Sequence, residues 1–319
     1  MNFLKKHGTT LLLTLVCLIG VGLIAYPSVA DYYNSWLQRN AISDYASTVV
    51  NMDDDRYDEI YTSAKKYNKN IAKNGFQWAM SKKQKKEYNN QLKIDDSSAM
   101  GYIEIKKINE KLVIYHGTSA KALRTGVGHM EGTSLPIGGK TTHCVLSGHR
   151  GLPSAKLFSD LDKLAEGDTF VLHVLNLTLT YEVDQIRVVN PDDLTALTLE
   201  KGKDYCTLVT CTPYGVNTHR LLVRGHRVPN SQGDANVVAD ALIIEPIYIA
   251  PFLGVPVLIL LIIAMLIYTG RVRRHAKSRL KEQLWEELGL PKPEEQKPNL
   301  KRITMRQRKR KRKEDSHEK

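Results

Sequence analysis

This 319-residue sequence predicts a mainly β domain, closed or partly closed into a barrel with short helices, preceded by a helical arm and flanked by two transmembrane segments. Three observations carry that prediction. Residues 100–229 read as short β-forming runs separated by Gly, Pro and Asn turns, and about 130 residues are enough for one core. Residues 31–95 are instead polar, with apolar positions at helical spacing. Two uncharged runs, residues 8–30 and 246–270, bracket both parts, and each reaches the ~20 residues that span a bilayer as a helix.

Lys5 and Lys6 precede the first apolar run, and Arg271, Arg273, Arg274 and Lys277 follow the second. The positive-inside bias sets both termini in the cytoplasm and residues 31–245 outside. The first run also has the form of a signal peptide: a basic start, an apolar stretch from Leu11 to Ala25, and Ser28-Val29-Ala30 as a small-x-small cleavage site. Anchor and cleaved signal are both open readings, and the middle of the chain is exported under either. In the arm, Asp53 to Asp55 offer caps. Ile60, Ala64, Tyr67 and Ile71 share one helical face, and Asn74-Gly75 stops the helix. The plain reading of this arm is a spacer.

The β texture begins with alternation at residues 102–105 and 111–115. Runs at 145–146, 169–174, 177–183, 186–189, 207–211 and 221–223 follow, punctuated by Asn176 and Asn190-Pro191. Residues 154–164 are expected to add a short helix. The expected parts are an anchor or signal at 1–30, the arm at 31–97, the barrel at 98–230, a linker at 231–245, a span at 246–270 and a tail at 271–319. In the tail, residues 281–290 suit a short helix, broken by Pro291, Pro293 and Pro298. Arg306 to Lys313 is a basic block expected to be disordered.

The net charge of +12 is concentrated in that tail, where residues 271–319 hold 18 Lys/Arg against 8 Asp/Glu. The exported part is close to neutral, so the charge is no argument for a nucleic-acid partner. Beside a membrane the basic tail suits anionic lipid and topology control. Of four cysteines, Cys17 lies in the first apolar run, and Cys144, Cys206 and Cys211 lie outside it. An odd number leaves at least one free thiol in an exported setting. Cys144 and Cys206 read either as a disulfide or as two buried small hydrophobes on neighbouring strands. No Cys/His spacing suits zinc, and no cofactor is expected.

Candidate chemistry converges on Thr207-Leu208-Val209-Thr210-Cys211-Thr212-Pro213-Tyr214-Gly215-Val216-Asn217-Thr218-His219-Arg220. A strand ends in a thiol, a loop follows, and an arginine opens the next strand, bringing nucleophile and cation to one mouth. Period-2 alternation puts Thr207, Val209 and Cys211 on one face, with Cys206, Leu208 and Thr210 on the other. His149 ends another run, Leu146-Ser147-Gly148-His149-Arg150-Gly151. Thiol, imidazole and guanidinium are the parts of a thiol acyl-transfer site. A strand-end cysteine is also a common structural residue, and a histidine in a glycine-flanked loop is also a common surface residue. His129, His143, His173, His219 and His226 compete with His149, and Arg224 and Arg227 compete with Arg220. Spacing alone does not choose.

Thr207-Leu208-Val209-Thr210-Cys211 with Arg220 resembles the sortase TLxTC…R signature, and Ser147-Gly148-His149-Arg150-Gly151 resembles the sortase histidine loop. Ile114-Tyr115-His116-Gly117-Thr118, Gly126-Val127-Gly128-His129, Glu131-Gly132-Thr133-Ser134-Leu135-Pro136 and Leu152-Pro153-Ser154-Ala155-Lys156-Leu157-Phe158 look like class C sortases, the pilin polymerases of Gram-positive bacteria. The likeness covers roughly residues 98–228. It implies a sortase-type barrel and a cysteine transpeptidase acting on an LPxTG-like sorting signal, without a cofactor. By that resemblance Cys211 is the nucleophile, His149 the general acid/base and Arg220 the oxyanion stabiliser. The acceptor amine is a pilin lysine; in the housekeeping-type alternative it is a wall peptide. A non-catalytic membrane scaffold for envelope assembly is the alternative from another class. Class C enzymes carry an Asp-Pro-aromatic lid motif, which residues 72–92 lack. Phe76 and Trp78 are the lid candidates there, with Trp78 either plugging a groove or simply packing in the arm. Leu135-Pro136-Ile137-Gly138-Gly139 has the look of a sorting signal but reads as a groove loop of the domain.

Overall fold

The computed structural model describes residues 2–230 and 246–289. The linker at 231–245 and the tail beyond 289, with its basic block, lie outside the described residues. The chain divides into two compact units, residues 18–251 and a second made of residues 1–17 with 252–319. The second unit holds the start of α1 (Asn2–Val50) and nearly all of α5 (Pro246–Glu287). α5 contains the second apolar run and continues through residues 281–287 without the separate short helix expected there. Among the described residues, one helical stretch, Leu12–Val50, is long and apolar enough to cross a membrane, with a mean hydropathy of 2.2 in its most apolar window.

In the larger unit α1 runs without a break through Pro27 and residue 30, so the apolar run and the start of the arm are one helix. α2 (Asp54–Asn74) starts where the Asp53 carboxylate accepts from the Arg56 N–H at 2.8 Å, and stops at Gly75, whose φ of +82° is a glycine conformation. It buries Ala64, Tyr67, Asn68 and Ile71, the expected stripe with one polar addition. Each large apolar side chain buried this way contributes about 2 kcal/mol. α3 (Lys82–Asn89) opens on a Ser81/Gln84 capping box.

Eight strands then close into a barrel: β1 (Ala99–Ile105), β2 (Glu110–His116), β3 (Val127–His129), β4 (Thr142–Ser147), β5 (Thr169–Val174), β6 (Leu177–Val189), β7 (Asp204–Thr212) and β8 (His219–Val228). Their order around the wall is β1-β2-β3-β4-β7-β8-β6-β5. The β2/β3 and β4/β7 pairs are parallel and the others antiparallel. The two expected runs at 177–183 and 186–189 are one strand, β6, with a bulge between Val183 and Gln185. Cys144, Leu146, Cys206, Leu208, Leu221 and Val223 point into the main core, and Val145, Val209 and Leu222 form a second apolar cluster on the opposite face.

α1 fastens to this wall by polar contacts. Gln38 Oε1 accepts from the Val113 N–H at 2.8 Å. The Tyr45 hydroxyl donates to the Met100 carbonyl and accepts from the Leu175 N–H, at 2.8 and 2.9 Å. Asn68 holds the loop before β4 from both sides: its amide donates to the Leu135 carbonyl at 3.1 Å and accepts from the Leu135 N–H at 2.7 Å.

The helix expected at 154–164 is absent; only Leu161–Lys163 forms a 3-10 turn. Two backbone donors there are taken by acceptors outside the stretch. The Lys156 N–H goes to Asp31 Oδ1 at 2.8 Å and the Phe158 N–H to the His149 carbonyl at 3.1 Å. Leu157 between them has φ of +44°, which ends helical continuation.

Candidate active site

β7 and β8 are joined by the loop 213–218, and their antiparallel register makes Cys211 the direct partner of Arg220. Both lie on the face that carries Val209 and Leu222, since their neighbours Leu208 and Leu221 enter the core. Cys211 is a half-buried free thiol at the end of β7. β4 lies parallel beside β7, with Ser147 opposite Val209. One residue further, the Gly148 N–H donates to the Val209 carbonyl at 3.0 Å, and Thr210 Oγ1 donates to the Gly148 carbonyl at 2.8 Å. His149 and Cys211 therefore leave the sheet from adjacent points. Burial lowers the pKa of the half-buried His149 from its ordinary value, which favours neutral imidazole.

The competing residues have other engagements. Arg224 forms a bidentate pair with Asp184 at 2.9 and 3.0 Å, lies over the Tyr205 ring and reaches Glu200. Arg220 Nη1 instead donates to two neutral acceptors, the carbonyls of Asn217 and His219, and no carboxylate pairs with it among the described residues. Arg227 bonds to the carbonyls of Thr178 and Thr180. His129 is buried in the core, its Nδ1 accepting a hydrogen bond from the Tyr88 hydroxyl and its Nε2–H donating one to the Ser134 carbonyl. His143 bonds Thr198 and Thr207, and burial pulls its pKa down to about 4. His173 stacks on Tyr102 across β1 and β5, His219 bonds the Thr218 hydroxyl, and His226 lies toward Asp184.

Sequence reasoning passed over Arg150. Its guanidinium is buried and bonds the Ser159 carbonyl, Asp162 and Thr212 Oγ1, and it lies 5.9 Å from the Tyr214 ring centroid. It thus ties the loop after His149 to the loop after Cys211. Its place beside His149 in the motif was the one signal available, and its hydrogen-bond partners lie up to 62 residues away.

Of the lid candidates, Phe76 packs against the apolar cluster of Val145, Leu197, Val209 and Leu222, on the face that bears Cys211. Trp78 touches Phe76 edge-on at 5.1 Å and is 43% exposed. The segment is held by the Gln77 N–H donating to the Gly132 carbonyl at 3.0 Å. Gly132 is obligatory there, because an added Cβ would sit 2.2 Å from the Gln77 carbonyl oxygen. Cys144 and Cys206 are register partners and both are thiols, as small core residues; burial pushes the Cys206 thiol well above its ordinary pKa. A separate cavity of about 780 Å³ lies on the β1/β5/β6 wall beneath the α1–α2 turn, lined by Tyr45, Met52, Tyr57, Tyr102, His173 and Thr178.

A family model described as the sortase domain matches residues 103–228. Sortase D of Bacillus subtilis (strain 168) is 34% identical over 139 residues, which are 43% of this chain and 67% of that protein. Sortase A of Staphylococcus aureus (strain NCTC 8325 / PS 47) is 31% identical over 156 residues, 48% of this chain and 71% of that protein. Among solved structures, sortase C1 from Streptococcus agalactiae has 61% identity and a TM-score of 0.59, covering 60% of this chain and all of that one. Sortase C from Clostridium perfringens, solved with the C-terminal cell wall sorting motif, has 46% identity and a TM-score of 0.54, covering 60% and 99%. A barrel of this topology with an outward-facing thiol at a strand end is the architecture of a cysteine transpeptidase, and the chain belongs to the sortase family. Its structural neighbours are class C sortases.

Proposed function

We propose that this transpeptidase polymerises pilins, with Cys211, His149 and Arg220 as its catalytic residues. Neutral His149 takes the proton of the Cys211 thiol, and the thiolate so formed attacks the Thr carbonyl of an LPxTG-like signal. The Thr–Gly C–N bond breaks, and His149 gives its proton to the departing glycine amine. An amine of the next subunit, a pilin lysine, then loses a proton to His149 and attacks the thioester. An isopeptide bond forms and the thiolate is released. Arg220 faces the oxyanion that develops in each step, where a permanent cation in a water-poor cleft is most effective. The observation that carries this reading is the direct pairing of Cys211 with Arg220, an arginine without a carboxylate partner among the described residues. The class C neighbours favour lysine over wall peptide as the acceptor. Phe76, backed by Trp78, is the lid element over the apolar part of the groove. The chain is anchored by α1, with the barrel outside the cell, α5 as a second span and the basic tail in the cytoplasm.

The test is intact mass after incubation with an LPxTG-type peptide. Wild type is expected to gain the mass of the peptide up to its Thr residue, and Cys211→Ala none. Adding pilin lysine or wall-peptide acceptors then ranks the two amines by the amide-linked product. A Cys211→Ala chain that keeps full biological activity refutes the enzyme reading in favour of a scaffold.

A further inference from the structure

The first turn of α1 beyond its apolar run reaches the loop that follows His149. Asp31 Oδ1 accepts from the Lys156 N–H at 2.8 Å, and Asn34 Nδ2 donates to the Ser154 carbonyl. One residue of the helix thus supplies the acceptor and another the donor, three positions apart on one helical face. The contacts fix a short stretch of irregular backbone at two points.

That stretch is wired to His149. Two residues past Lys156, the Phe158 N–H donates to the His149 carbonyl at 3.1 Å. The Phe158 ring is fully buried and packs against Gly148, where an added Cβ would come within 2.6 Å of it. Leu157, which links the held residue to Phe158, has the left-handed φ of +44°. Such a conformation in a branched residue persists only where its neighbours impose it. Below the loop, Lys156 Nζ reaches the Ile108 carbonyl and Glu110, at 2.9 and 3.1 Å, so its side chain is anchored as its backbone is.

We propose that Asp31 and Asn34 are positioning residues for His149, acting through Ser154, Lys156 and Phe158. The helix that carries the apolar run is thereby part of the frame of the acid/base residue. The inference rests on the reading of His149 as the general acid/base. Removing the Asp31 acceptor frees the Lys156 N–H and loosens Phe158 from His149. A displacement of about 1 Å at a reacting group can lower turnover on the order of 10²-fold. The displacement relayed through Phe158 is smaller than that, and the expected loss is on the order of tenfold.

The experiment uses the full chain in detergent micelles, with an LPxTG-type donor peptide and a saturating amine acceptor. Asp31→Ala, Asp31→Asn, Asn34→Ala and His149→Ala are compared with wild type for kcat, KM and the pH dependence of kcat. Asp31→Ala and Asn34→Ala are expected to lower kcat roughly tenfold with donor KM unchanged. The pH limb belonging to His149 is expected to move up, toward the ordinary imidazole value, as the ring becomes more exposed. Asp31→Asn keeps the side-chain acceptor and is expected to restore both kcat and the limb. The proposal is overturned if His149→Ala is inactive while Asp31→Ala and Asn34→Ala match wild type in kcat and pH profile. It is also overturned if Asp31→Asn is impaired as much as Asp31→Ala, which would make charge, not the bond, the cause. An active His149→Ala chain refutes the acid/base reading itself, a result the other variants cannot produce.

Discussion

Asn68→Ala isolates the clamp that the arm places on the loop entering β4. Asn68 is 4% exposed and its amide satisfies both the N–H and the carbonyl of Leu135, itself fully buried. Alanine removes two hydrogen bonds and leaves the Leu135 N–H without a partner away from water, while the Leu135 carbonyl keeps the Ile137 N–H at 2.8 Å. The orphaned N–H costs about 1–3 kcal/mol and the lost bond to the carbonyl about 0.5–1.5 kcal/mol, so the variant loses roughly 1.5–4 kcal/mol. Against a typical domain stability of about 5–15 kcal/mol that is a large fraction. Urea unfolding of the full chain in detergent, followed by tryptophan fluorescence, measures it through the midpoint at constant slope. Asn68→Asp is a sharper probe. It keeps the acceptor for the Leu135 N–H but sets a carboxylate against the Leu135 carbonyl, and is expected to cost more than alanine. If Asn68→Ala shifts stability by less than about 0.5 kcal/mol at unchanged slope, the clamp contributes nothing and the loop is held by other contacts.

Two further expectations concern the loop after His149 and its support. Gly148→Ala drives a methyl group to 2.6 Å from the buried Phe158 ring, so the ring or the strand end must move. The expected result is about 1–3 kcal/mol of lost stability and a larger proportional loss of turnover, read by unfolding and peptide kinetics; unchanged turnover would show that His149 tolerates the shift. Burial raises the Glu110 carboxyl from 4.5 to about 7, in spite of the Lys156 ammonium at 3.1 Å. A raised folded pKa stabilises fully below the unfolded value and is lost as pH climbs through the folded one, here between about pH 4.5 and 7, by at most about 3 kcal/mol. Thermal unfolding of wild type is therefore expected to fall from pH 5 to pH 8 relative to Glu110→Gln, and a gap independent of pH would contradict this.

What could be read from the sequence was local. The alternation that sends Cys211 outward with Val209, and Cys206 and Leu208 inward, is a property of one strand. The same holds for the α2 stripe and its stop at Gly75. What failed depended on residues far along the chain. Arg220 and Arg224 share a face of β8, and Asp184, at the β6 bulge, is what engages Arg224. Residues 154–164 had a helix-compatible pattern, but Asp31 captures the Lys156 N–H from 125 positions away. β3 has three residues and pairs in parallel with β2, too short and too non-local to register as a strand. Of the two lid candidates the sequence favoured Trp78 as the plug, whereas it is Phe76 that packs on the apolar cluster of β4, β7 and β8.

The parallel seam between β4 and β7 bears on how the enzyme matures. It joins Cys144 to Cys206, and the β5–β6 hairpin lies wholly between them in the chain. Hairpins close early because their loops are short, whereas contacts across such separations carry more loop entropy and form late. Thiol and imidazole therefore stay apart while the chain is still assembling, and they meet only when this joint zips. On the catalytic pair proposed above, a chain whose barrel is incomplete is expected to lack transpeptidase activity, without any separate device to restrain it.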